Sequence, residues 1–113
     1  MKPKAAPAPF SAEETFPTIK VGDSSFRDLV LENAQQAING SRQKDYGDAK
    51  DSFTTVGRIW GAILQIAPLE PDQVALMLAG LKMARLAGNL EHWDSWVDMA
   101  GYTALGGEIA VTQ

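Results

Sequence analysis

Apolar residues in this chain recur every three or four positions and rarely alternate, which is the spacing of helices with one buried side. Four such stretches follow one another. Ser24 or Ser25 can cap a helix over 24–39, with Gly40 as its stop and Phe26, Leu29, Val30 and Ala37 on one face. A polar loop occupies 41–48. The second helix is predicted over 49–66, with Phe53, Val56, Trp60, Ile63 and Leu64 in one stripe. The run 67–71 breaks it, and Pro71 suits the first turn of a third helix over 71–87. That helix is apolar nearly all round. Val74, Met77, Leu78 and Leu81 make one face, while Leu76, Met83 and Leu86 occupy the other side. Gly88 and Asn89 close it. A fourth helix over 91–109 carries Trp93, Trp96, Val97, Ala100 and Ala104 as its core stripe, ahead of a frayed tail at 111–113.

No strand pattern and no internal repeat interrupts this series, so the predicted fold is all-α, a four-helix bundle. The bundle domain is placed at 24–113. Residues 1–23 read differently: Pro3, Pro7, Pro9 and Pro17 are four of the chain's six prolines, and such a stretch favours an extended proline-rich arm. A helix with two apolar sides is either central or shared with a partner chain, so the third helix predicts a homo-oligomer.

Composition narrows the chemistry. The chain has 113 residues, 45% of them hydrophobic and 21% charged, as expected of one domain with its own core. Cysteine is absent, which removes disulfides, thiolate metal sites and cysteine nucleophiles. The single histidine, His92, leaves no imidazole pair for a zinc or iron site. A net charge of −4 argues against duplex DNA as partner. No apolar run approaches the roughly 18 residues of a membrane span, and the first residues lack a signal-peptide core. The expectation is a cytoplasmic protein with no membrane partner.

Two groups of residues can carry chemistry. The loop before the second helix holds Arg42, Lys44, Tyr46 and Gly47. Free amides at a helix start bind anions, the two cations reinforce that, Tyr46 offers a ring for stacking a base, and Gly47 lets backbone approach closely. A solvated turn capped by Asp48 explains the same residues without a ligand. On the third helix Arg85 falls within an apolar stripe beside Lys82, and a guanidinium there must be paired or face a ligand. Asp94 and Asp98, one turn apart on the fourth helix, share a face with Gly101 and are the expected partners of Arg85. These charges make either an interhelical salt-bridge cluster or a polar pocket. His92 and the tryptophans read as packing residues.

The combined string is Arg42-x-x-x-Tyr46-Gly47, Phe53, Trp60, Val74-Ala75, Lys82-x-x-Arg85 and Asp94-Ser95-Trp96-Val97-Asp98-x-x-Gly101-Tyr102. It resembles a family of small phage and prophage proteins defined as a domain of unknown function, over about residues 26–108. The resemblance implies a helical bundle in a viral setting, acting in the host cytoplasm, with no established activity. A more distant likeness is to MazG-type all-α nucleoside triphosphate pyrophosphohydrolases, whose magnesium site uses ExxE and ExxD motifs on two helices. Asp94 and Asp98 form a half-site of different spacing, while the third helix carries Lys82 and Arg85 where acids are needed. The expectation is therefore a nucleotide-binding protein without a cofactor, sequestering a host nucleotide signal, with Tyr102 and Gly101 completing the strip. The alternatives are a magnesium-dependent hydrolase using Asp94 and Asp98, or a structural, partner-binding bundle.

Overall fold

A computed structural model describes residues 25–40 and 48–112. The proline-rich arm, and Arg42, Lys44, Tyr46 and Gly47 of the candidate site, lie outside the described residues.

Four helices follow in order: α1 (Phe26–Asn39), α2 (Ala49–Leu64), α3 (Pro71–Gly88) and α4 (Trp93–Val111). Among the described residues there is no strand. Each start has a local chemical cause. Ser25 accepts the Asp28 amide at α1, and Asp48 accepts the Lys50 amide at α2. Pro71 opens α3, where the Gln73 side chain accepts the Glu70 amide at 2.9 Å. Helix α2 ends two residues earlier than periodicity predicts because Gln65 turns left-handed, with φ 59°. There the Ile66 amide donates to the Gly61 carbonyl and the Gln65 amide to that of Ala62, which is a Schellman close made without glycine.

Helices α3 and α4 form a central hairpin; α1 packs on α4 and α2 packs on α3. The core runs through Phe53, Val74, Ala75, Leu78, Ala79, Tyr102 and Ile109, and a smaller cluster joins Ala34 of α1 to Val97 of α4. Two expectations about faces are corrected. In α3 the buried side is Val74, Ala75, Leu78, Ala79, Lys82 and Leu86, whereas Met77 and Leu81 are exposed. Leu86, expected on the outer side, is inside, and Leu76 and Met83 are the outermost large residues of the helix. In α4 the stripe shifts toward Ser95, Asp98 and Tyr102, leaving Trp96 and Ala104 exposed. The cause is the small side chains of the hairpin. A Cβ placed on Gly106 would sit 2.9 Å from the Ala75 Cβ, so the two helices approach too closely there for bulky residues.

Candidate functional site

The polar residues of the hairpin meet where the C-terminal half of α3 faces the start of α4. Lys82 projects from the buried side of α3, level with Ala79 and Leu86. Its Nζ lies 2.9 Å from Asp98 Oδ2, and the two side chains are 2% and 1% exposed. Lysine and aspartate are almost never this buried unless paired. Four residues on, Tyr102 is fully buried with its ring tilted against Phe53, the centroids 6.2 Å apart. Asp98 and Tyr102 thus stack on one α4 face, as residues one turn apart must.

One turn before Asp98, Ser95 is also fully buried. Its hydroxyl meets His92 Nδ1 at 2.7 Å, while the Ser95 amide donates to the His92 carbonyl. His92 therefore fixes the first turn of α4 from both its backbone and its ring. Asn33 of α1 is buried as well, and its amide donates to the Leu29 carbonyl at 2.7 Å. His92, Ser95 and Asn33 were not among the residues singled out for the site. The available signal was serine within the Asp94–Asp98 string, on the same helical face as Asp98.

Of the predicted site residues, Lys82, Asp98, Gly101 and Tyr102 are buried, and Asp94 is half-buried one turn before Asp98. Arg85 is a correction. It is half-buried at the flank of α3 and, among the described residues, joins no ion pair; Lys82 holds the place expected of it against Asp98. The residues three apart differ by about 60° around the helix, enough to move one of two neighbouring cations from the seam to its edge.

These positions do not fit the magnesium site that the hydrolase likeness implies. Asp98 faces an ammonium at ion-pair distance, which a cation would have to displace from a buried seam. Among the described residues no three histidine, aspartate or glutamate side chains come together.

The family model described as Domain of unknown function (DUF6378) matches residues 29–110, which take in α2, α3 and most of α1 and α4. The chain belongs to this family. Gene 55 protein of Mycobacterium phage L5 is 41% identical over 76 residues, covering 67% of this chain and 49% of that protein. Gene 55 protein of Mycobacterium phage D29 is 37% identical over 73 residues, covering 65% and 48%. The chain spans about half the length of the curated relatives it matches. It is a phage protein of a family without an assigned function. No solved structure matches it. No described helix is long and apolar enough to cross a membrane.

Proposed function

We propose that this phage protein binds a phosphorylated small molecule of the nucleotide class and does not turn it over. The observation that supports the reading is the charge placement on α3. Lys82 is neutralised by Asp98 inside the seam, while Arg85, one turn on and half-buried, adds a guanidinium with no carboxylate on it among the described residues. A half-buried cation beside a polar seam is a ready partner for an anion, and a guanidinium matches phosphate in two-pronged geometry. Ala49 and Phe53, at the start of α2, pack on the same core as Tyr102. The segment carrying Arg42, Lys44 and Tyr46 joins α1 to that helix start, and contributes two further cations and an aromatic ring to the reading. Asp94 is the acceptor for ribose or base edges. In a phage setting such a protein withholds a host nucleotide signal in the host cytoplasm. The pyrophosphohydrolase alternative is disfavoured by the Lys82–Asp98 pair, which takes up one of its two carboxylates.

The test is a panel of mono-, di- and cyclic nucleotides, scored by thermal shift and calorimetry with and without magnesium. Binding is expected without magnesium. Arg85→Ala is expected to abolish it while leaving the melting temperature near that of the parent, since Arg85 holds no ion pair among the described residues. A panel that moves no melting curve refutes nucleotide binding. Release of pyrophosphate from a triphosphate, stopped by Asp98→Asn in a variant whose melt shows it still folded, establishes the hydrolase in its place.

A further inference from the structure

The outer side of α3 is exposed and, beyond the polar Gln73 of its first turn, apolar. Leu76 is 74% exposed and Met83 61%, with Met77 and Leu81 beside them near half. Of the helix's charged residues, Lys82 is buried and Arg85 half-buried off this side, and the half-buried Asp72 lies in the first turn, at the N-terminal end of the face. The patch continues onto α2, where Trp60, Ile63 and Leu64 join Met77 around an open apolar groove of about 210 Å³. Ile63 is itself 71% exposed.

We propose that this face is the interface of a homodimer, in which α3 of one copy packs against α3 of a second. The area fits. A leucine- or methionine-sized side chain carries on the order of 100 Å² of apolar surface. The exposed parts of Ile63, Leu64, Leu76, Met77, Leu81 and Met83, with Trp60 and the alanines between them, come to roughly 500–600 Å² per copy. That equals the largest patch normally left on a monomer, and two copies together hide a little over about 1,000 Å², the threshold of a specific interface.

The absence of charge beyond the first turn separates this face from a transient docking site, which keeps polar groups for its free state. A second copy of the chain is the occupant, because the pattern is self-complementary. Gly80, Ala84 and Ala87 run along the middle of the face, and a Cβ on Gly80 meets no heavy atom within 4 Å in the protomer. In an antiparallel pair centred between Gly80 and Ala84, Leu76 and Met77 of one copy lie over Gly88 and Ala87 of the other. Gly80 then lies over Ala84, and Leu81 over Met83. Leu76 and Met77 thus meet small residues, Gly80 and Ala84 let the two backbones approach, and Leu81 packs on Met83, each contact occurring twice about the two-fold axis.

Sedimentation of the full chain at micromolar concentration tests this. The expected species has about twice the 12.2 kDa of one chain, with a melting temperature that rises with protein concentration. Gly80→Leu fills space that is empty in the protomer but closed in the pair, and Met83→Glu places a carboxylate in the contact. Each is expected to weaken association by about tenfold or more and to keep the helical spectrum and a cooperative melt. A parent chain that sediments as a single copy overturns the proposal. So does a parent dimer that both variants leave intact. Neither result depends on nucleotide, so the outcome is independent of the ligand reading.

Discussion

At the scale of single residues the Lys82–Asp98 pair decides the most. Two charges taken out of water gain by attraction little more than they lose in hydration, so the intact pair is a poor source of stability. Removing one partner is different, because the other charge is left buried. Lys82→Ala is expected to destabilise the fold by about 3–5 kcal/mol in urea unfolding. Lys82→Met with Asp98→Leu, which replaces the pair by apolar volume, is expected to be neutral or stabilising by about 1–4 kcal/mol. If the double variant folds well and loses nucleotide binding, the pair serves the ligand; if it folds well and binds as before, the pair is packing. Gln65 offers a separate test. A left-handed backbone costs a residue with a side chain about 1–2 kcal/mol, and glycine returns part of that through unfolded-state entropy of about 0.4–1 kcal/mol. Gln65→Gly is therefore expected to stabilise by about 0.5–1 kcal/mol, visible as a higher urea midpoint with an unchanged slope.

At the scale of elements, glycines that look alike in the sequence have opposite roles. Gly57 and Gly61 lie on the side of α2 over which the α2–α3 connection folds back. The Leu69 amide donates to the Gly57 carbonyl at 3.2 Å, and a Cβ on Gly57 would strike the Leu69 carbonyl oxygen. Gly107 of α4 has open space around its missing Cβ. Gly57→Ala is expected to cost about 1–3 kcal/mol by overpacking, while Gly107→Ala gains about 0.5–1 kcal/mol from helix propensity. Paired thermal melts of the two variants should move in opposite directions. The same close packing explains what periodicity could and could not show. Four helices, the Gly40 stop, the Asp48 cap and the Pro71 start were all legible, because each rests on chemistry within a few residues. The faces of α3 were not. Counting large apolar residues as interior assigns Met77 and Leu81 to the core, whereas the hairpin seam is lined by Ala75, Ala79 and Gly106, which carry little hydrophobic signal. Lys82 and Asp98 were legible as site residues, but a helical wheel places Lys82 and Arg85 side by side and cannot say which of them faces α4.

At the scale of the whole molecule, the order in which helices touch sets how the fold opens. The hairpin of α3 and α4 shares the largest contact, whereas α1 touches the rest chiefly through α4. The buried residues of α1 are Asn33, Ala34 and Ala37, two of them small and one polar, and its larger Phe26 and Leu31 are exposed. Its attachment thus buries little apolar area for fourteen ordered residues, and backbone ordering alone opposes it by about 1–2 kcal/mol per residue. The hairpin has the opposite balance, with Val74, Ala75, Val97 and Tyr102 fully buried. Regions with few buried contacts open at lower free energy than the global transition. Native-state hydrogen exchange should accordingly find α1 amides exchanging through local opening, while amides near Ala79 and Tyr102 exchange only on global unfolding. Added denaturant separates the two classes, since local opening exposes little surface and depends weakly on it. Identical protection and denaturant slopes in α1 and α3 would show a single cooperative unit, and the hairpin would then have no independent standing. A ligand gripped by Arg85 and the seam, or a second copy seated on α3, acts on the hairpin. Either one is expected to raise the protection of α3 and α4 more than that of the opening of α1.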